Sequence, residues 1–246
     1  MSDVIFDQSP HRVKFDWGWH GCSSAAARGE IVVIVDVLRF STVCAAACAR
    51  GISIVPAAMD EELEPLAQRH GATNPGTDFA RLSPDSYSSL EPGSRIVVKS
   101  PNGATCATLS IGAPHVLFGA IVNATAVAQR VRDLLWETDL SATIIACGER
   151  WDHANPDGQL RFAIEDYLGA GAILSKLDVD KSAEAIVSET SFRGSQMSIA
   201  ESLLGSASGR ELLARSLIRD VNLAADLDLF DAVPIFLDGV IHCGTR

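Results

Sequence analysis

Positive charge is scarce in this 246-residue chain: 20 Lys and Arg stand against 31 Asp and Glu, a formal net charge of -11. A sequence-wide grip on nucleic acid or on an anionic membrane surface needs a basic footprint, so both partner classes are excluded and only a local basic pocket stays open. No apolar run approaches the ~20 residues of a membrane span. Met1-Ser2-Asp3 opens without the basic n-region of a signal peptide, so the expected setting is cytoplasmic. The six cysteines, Cys22, Cys44, Cys48, Cys106, Cys147 and Cys243, include no CxxC pair and no zinc-type spacing with histidine. Buried free thiols in a reducing compartment are the expectation. His11 and His20 have no neighbouring ligands and read as surface or capping groups. The phosphate loop GxxxxGK[ST], the dinucleotide fingerprint GxGxxG and the GxSxG nucleophile elbow are all missing, which disfavours the chemistries they serve. There is no internal repeat and no low-complexity tract.

What is present is apolar and well punctuated. With 47% hydrophobic and 21% charged residues the chain can bury a substantial core, as one domain over 1–246 that two closely packed α/β lobes could compose. Ile31-Val32-Val33-Ile34-Val35 is a continuous β-branched run, the pattern of a central parallel strand buried on both faces, and Asp36 stands at its carboxyl end. Small helix-compatible residues follow from Ser41 to a closing Gly51. In open α/β sheets ligands bind beyond the strands' carboxyl ends, so Asp36, Arg39, Ser41 and Thr42 are placed to line a crevice. The alternative is an Asp36–Arg39 ion pair with Ser41 or Thr42 capping the helix.

The same strand, polar turn and helix recur at Arg95–Lys99 before Ser100-Pro101-Asn102-Gly103, at His115–Val122 before Asn123-Ala124-Thr125, and at Ala142–Gly148 before Glu149-Arg150. Val4-Ile5-Phe6 reads as a short first strand, Val13–Trp19 as a half-buried strand or hairpin arm, and Ile52–Pro56 as a strand stopped by proline. The stretch from Gly71 to Pro92 reads as a long loop, and Trp151–Arg161 as a polar, turn-rich loop suited to a lid. Phe162–Leu174 is helical in spacing, with Glu165 and Asp166 adjacent in an otherwise apolar segment. Charges there are costly unless paired, with Arg150 or Arg161 for instance, or bound to a metal. Helical patterns run from Ser198 to Leu204, through Ser206–Arg215, and from Asp220 to Leu229. Val233–Ile241 closes as a strand or hairpin. Ser206 or Ser208 ahead of Glu211 suits helix capping, while Gly209-Arg210 could offer a phosphate its N–H groups and guanidinium.

Carboxylates and oxyanion contacts thus gather at the junctions. Hard carboxylate oxygens suit Mg²⁺, and Arg39, Arg150 and helix-start N–H groups suit a polyanion. A metal ion could polarise phosphoryl oxygens and ready a water, or Asp36 could attack and form a phosphoaspartate.

In this order, Asp36-Val37-Leu38-Arg39-Phe40-Ser41-Thr42, Ser100-Pro101-Asn102-Gly103, Val122–Ala128, Cys147-Gly148-Glu149-Arg150, Ala163–Ile173 and Ser208-Gly209-Arg210-Glu211-Leu212 resemble the 2-phosphosulfolactate phosphatase (ComB-like) family, from about Val4 to Pro234. The resemblance implies a Mg²⁺-dependent phosphoric monoester hydrolase that converts (2R)-phospho-3-sulfolactate to sulfolactate and phosphate, a step in coenzyme M biosynthesis. It also implies a layered α/β/α fold with a mixed, largely parallel sheet, and a homodimer. Carried over, Asp36, Glu149, Glu165 and Asp166 become the catalytic carboxylates, with Asp36, Glu165 and Asp166 toward the metal. Arg39, Ser41, Asn102, Gly103, Asn123 and Arg150 become the substrate contacts. Two departures, Phe40 where members often carry alanine and the aromatic arm Phe15–Trp19, bear on substrate choice and admit another small phosphorylated acid. The competing readings are a catalytically silent binding protein for a phosphorylated or sulfonated metabolite, and an isomerase or lyase using the paired carboxylates for proton transfer.

Overall fold

A computed structural model describes residues 3–74, 82–151 and 159–244. A four-residue helix α1 (Asp3–Phe6) precedes β1 (Val13–Trp17), α2 (Gly18–Ala27) and β2 (Ile31–Val35). There follow α3 (Phe40–Ala49), β3 (Ser53–Ala57), α4 (Leu63–His70), β4 (Arg95–Lys99), α5 (Gly103–Leu109), β5 (His115–Gly119), α6 (Ala124–Glu137) and β6 (Ala142–Ala146). A short ribbon of β7 (Glu149–Arg150) and β8 (Leu160–Arg161) leads into α7 (Ile164–Leu174), α8 (Ala183–Ser195), α9 (Ile199–Gly205), α10 (Ala207–Ala214) and α11 (Ile218–Ala224). The last elements are β9 (Pro234–Leu237) and β10 (Val240–Cys243).

Eight strands form one mixed, mostly parallel sheet in the order β1-β6-β2-β5-β9-β10-β3-β4. The hairpin β9–β10 turns through Asp238-Gly239, both at positive φ as tight hairpin turns require, and inserts antiparallel between β5 and β3. All five β2 residues are fully buried, as their continuous apolar run requires. Ile31, Val33 and Val35 meet a core built with α6, α7 and the C-terminal helices, while Val32 and Ile34 meet one built with α2, α3 and α5. The result is three layers. The second core takes Ile54 and Ile241 as well as Ile96 and Val98 from the far edge of the sheet. The sheet therefore curls, and the turn after β4 reaches the turn after β2.

Val4–Phe6 is helical rather than a strand, because its partner edge is already satisfied. The side-chain amide of Gln8 donates to the Phe15 carbonyl (2.6 Å) and accepts from the Phe15 N–H (3.2 Å), blunting β1 as an added strand would. Proline does not stop β3, since Pro56 lies inside it. The expectation of six free thiols is corrected: Cys48 at the end of α3 and Cys243 at the end of β10 form a disulfide, brought together by the inserted hairpin, while Cys22, Cys44, Cys106 and Cys147 are free and buried. Among the described residues no helix is long and apolar enough to cross a membrane. Of the loop read as a lid, Trp151–Arg161, residues 152–158 lie outside the described residues, while Leu160–Arg161 form β8 against Glu149–Arg150.

Candidate active site

Beyond the carboxyl ends of β2, β4 and β6 lies a cavity of about 500 Å³, lined by Asp36, Arg39, Ser100, Asn102, Glu149, Arg150 and Arg161 and by Ser208, Glu211 and Leu212 of α10. Five expected site residues meet here: Asp36, Arg39, Asn102, Glu149 and Arg150.

Asp36 sits between two helix starts. Its Oδ1 accepts the N–H of Phe40 (3.1 Å), the first residue of α3, and its Oδ2 accepts the N–H of Gly103 (2.9 Å), the first of α5, with Ser100 Oγ at 3.4 Å. Those donors favour the carboxylate, but burial outweighs them and, with the neighbouring Glu165, raises its pKa. The approach demands a glycine: a Cβ at Gly103 would stand 2.5 Å from Phe40 Cδ1 and 2.9 Å from Asp36 Oδ2. Gly103→Ala is therefore expected to cost about 1–3 kcal/mol of stability by overpacking. Lifting the N–H from Asp36 should also lower turnover at least about tenfold. Thermal melts read beside turnover check both, and an alanine variant of unchanged melting and rate would disprove the close approach.

Glu149 leaves β6 after Cys147-Gly148 and accepts from Asn102 Nδ2 at 3.0 Å through Oε2. Burial, with the charge of Asp36 second, pushes its pKa up to about 7. A carboxyl poised there can hold or release a proton at neutral pH. Asn102 Oδ1 is buried without a hydrogen-bond partner.

Glu165 and Asp166 do not line the cavity. They lie behind it in the first turn of α7, buried, and the charge of Glu165 adds to burial in raising the pKa values of Asp36 and Glu149 in front. Asp166 ties two strand ends together: Oδ1 accepts Val37 N–H (2.7 Å) and Oδ2 accepts Gly148 N–H (2.9 Å). Burial and the charges of Asp36 and Glu165 hold its own pKa well above the usual carboxylate range. Neither Glu165 nor Asp166 forms an ion pair with Arg150 or Arg161.

The donor set fits a hard cation in chemistry, with carboxylate oxygens of Asp36 and Glu149 and the unpartnered Asn102 Oδ1 on residues that line the one cavity. Among the described residues no three acidic, His or Cys side chains converge as a ready-made metal cluster. A hard cation held here would take one or two of these carboxylates and complete its shell with water and substrate oxygens, as Mg²⁺ usually does.

The guanidiniums are held by other routes. Arg39 follows a cis peptide bond at Leu38–Arg39 and pairs through Nη1 with Asp220 Oδ2 (2.7 Å) on α11, not with Asp36. Ser83 Oγ donates to the other Asp220 oxygen at 2.6 Å. Arg150 lies 3.5 Å from the centroid of the Trp19 ring.

Two expected substrate contacts fall elsewhere. Ser41 is fully buried, its hydroxyl donating to the Ile34 carbonyl and accepting from the Asp36 N–H (both 3.0 Å). Asn123 is fully buried too, accepting from Ala120 N–H (2.8 Å) and donating to the Ala232 carbonyl (3.0 Å). Both serve the local backbone, as short polar side chains beside turns often do. The N–H of Gly103 goes to Asp36. Sequence reasoning missed Asp220 and the Trp19 support of Arg150, for which no local signal exists. Ser208 was visible only as a candidate cap; the cap of α10 is Ser206, whose Oγ accepts from Gly209 N–H (2.9 Å).

A family model described as 2-phosphosulpholactate phosphatase matches residues 21–239. A probable 2-phosphosulfolactate phosphatase of Carboxydothermus hydrogenoformans is 33% identical over 221 residues, covering 85% of this chain and 87% of the relative. A protein of the same description from Gloeobacter violaceus is 28% identical, covering 83% of this chain and 87% of its own. The 2-phosphosulfolactate phosphatase of Methanocaldococcus jannaschii is 27% identical, covering 85% and 89%. Matched over nearly its whole length, the chain belongs to the 2-phosphosulfolactate phosphatase family.

Proposed function

We propose that the protein is a Mg²⁺-dependent phosphatase that hydrolyses (2R)-phospho-3-sulfolactate, or a small phosphorylated acid like it, to the hydroxy acid and inorganic phosphate. The observation that carries this reading is one cavity lined both by guanidiniums, Arg39, Arg150 and Arg161, and by carboxylates, Asp36 and Glu149. A polyanionic ester needs the first set and proton or metal chemistry needs the second.

Arg39, fixed by Asp220, and Arg150, laid on Trp19, bind and orient the substrate anion. Asp36 and Asn102, which both line the cavity, offer the oxygens that would hold the cation, with the charge of Glu165 behind Asp36. Mg²⁺ bound there would offset phosphoryl charge and polarise the phosphoryl oxygens. Glu149, whose Oε2 is held by Asn102, keeps its proton on Oε1 for the ester oxygen. Water oxygen joins phosphorus, the bond from phosphorus to the hydroxy-acid oxygen breaks, the Glu149 proton goes to that departing oxygen, and the proton shed by the water restores Glu149. Little covalent work is asked of the protein in such a transfer, so positioning and electrostatics dominate.

Phosphate release from a panel of phosphorylated small acids, with Mg²⁺ and with excess chelator, tests this. Metal-dependent release with phosphosulfolactate preferred is expected. Release only from another member would keep the chemistry and replace the substrate. Saturable binding with no release would make it a binding protein, and a product that retains phosphate would make it an isomerase or lyase.

A further inference from the structure

Ser208 is a group that the phosphoryl chemistry does not use. It lies second in α10, is 5% exposed, lines the cavity, and its buried hydroxyl has no hydrogen-bond partner. Hydroxyls deeper in a helix can bond back to a carbonyl four residues earlier, as Thr190 does to Ile186 (2.7 Å) and Ser191 to Val187 (2.9 Å). Ser208, in the first turn of α10, has no such carbonyl of its own helix behind it. A buried hydroxyl left unsatisfied costs stability and is rare in folded proteins, so one on a cavity wall points to a group supplied from outside the chain.

The backbone around it argues for the sign of that group. Ser206 caps α10, taking the Gly209 N–H on its Oγ and the Arg210 N–H on its carbonyl (both 2.9 Å). The N–H groups of Ala207 and Ser208 fall before the helix's own ladder begins, at the positive end of its dipole. The turn is seated firmly, since a Cβ at Gly209 would stand 1.9 Å from the Leu203 carbonyl oxygen at the end of α9. Ser208, Glu211 and Leu212, spaced i, i+3 and i+4, present one face of α10 to the cavity. The acid on that face is countered, because Glu211 Oε1 accepts from Arg215 Nη2 at 2.8 Å. Arg39 lines the same cavity and is held by Asp220 on α11.

We infer that the first turn of α10, through the Ser208 hydroxyl and the adjoining main-chain N–H groups, is a second anion subsite that takes the non-transferring sulfonate of the substrate. It rests on the phosphatase reading, which places the transferring phosphate at the Asp36 and Glu149 end of the cavity. A tetrahedral anion that accepts several hydrogen bonds matches a hydroxyl and helix-start N–H groups better than a neutral group would. The subsite would then set substrate choice, because a sulfonate-free ester leaves Ser208 buried and unpaired.

Ser208→Ala tests this in the full-length protein, with 2-phosphosulfolactate compared against 2-phospholactate, which lacks the sulfonate. The wild type is expected to favour the sulfonated ester by about tenfold or more in KM, the worth of one charge-assisted hydrogen bond. In Ser208→Ala that preference should collapse to within about twofold, with kcat for the sulfonated ester changed far less than its KM. Ser208→Thr, which keeps the hydroxyl, should restore part of the preference. The melting temperature of the alanine variant should match or exceed the wild type, since an unsatisfied buried hydroxyl has been removed. An undiminished preference in Ser208→Ala, or an equal loss on both esters, would overturn the subsite while leaving the phosphatase reading intact. Should the wild type release phosphate from neither ester, the phosphatase reading fails. Calorimetric titration of 3-sulfolactate into the wild type and Ser208→Ala then decides the subsite by itself: about tenfold weaker binding to the variant supports it, and equal binding removes it.

Discussion

Asp36→Asn should lower phosphate release by about a thousandfold or more, because it removes the carboxylate that lines the cavity and offers oxygen to a cation, a loss of several kcal/mol at the transition state. The fold should survive. An asparagine carbonyl can still accept from Phe40 or Gly103, but its NH₂ group then faces the other N–H, a penalty of about 1–3 kcal/mol. Relief from burying a charge beside Glu165 and Asp166 opposes that penalty. Net stability is therefore expected to move by only a few degrees in melting temperature. Loss of folding with normal turnover in the surviving folded fraction would instead assign Asp36 to the framework alone.

Glu149→Gln is the second large effect, expected to reduce kcat by about 10²- to 10⁴-fold, the range for a positioned general acid. Its pH profile is the sharper reading. A pKa raised to about 7 keeps a working fraction of Glu149 protonated at neutral pH, so wild-type activity should fall as pH rises through that value. A cation at Asp36 favours the carboxylate and moves this limb to lower pH. The substrate's own second phosphate ionisation, near 6, affects both proteins alike, so the limb lost in Glu149→Gln identifies the side chain. A variant with an unchanged profile would remove Glu149 from proton transfer. In the metal-free protein the same raised value has a stability consequence. The group is neutral in both states below its ordinary value near 4.5, and the cost of its buried charge grows between there and 7 and is full above.

The frame of the site was legible because its signals are local. A β-branched run ending in Asp36, and apolar runs ending in Ser100–Gly103 and Cys147–Arg150, place polar turns at strand ends by periodicity alone. Two of the site's carboxylates, Asp36 and Glu149, and its two principal arginines, Arg39 and Arg150, follow from that. Ser41 and Asn123 have the same local signature, yet their side chains close the backbone around their own turns, and no spacing rule separates a hydroxyl or amide that faces a cavity from one that faces a carbonyl. Asp220 was illegible for a different reason. It meets Arg39 across 181 positions of sequence, through the packing of α11, and nothing near either residue announces the other. The Cys48–Cys243 disulfide spans 195 positions and depends on a hairpin inserted into the middle of the sheet. Helix α8 lacks the clean apolar stripe that marks α6, and it became visible only as the element packed against α7.

The most direct measurement is inorganic phosphate released from 2-phosphosulfolactate by the purified full-length protein, assayed with Mg²⁺ and again with excess chelator. Release that requires the metal and returns when Mg²⁺ is restored is the expected result. A folded protein that releases phosphate equally in chelator would contradict the metal's place beside Asp36, and one that releases none under either condition would contradict the phosphatase itself.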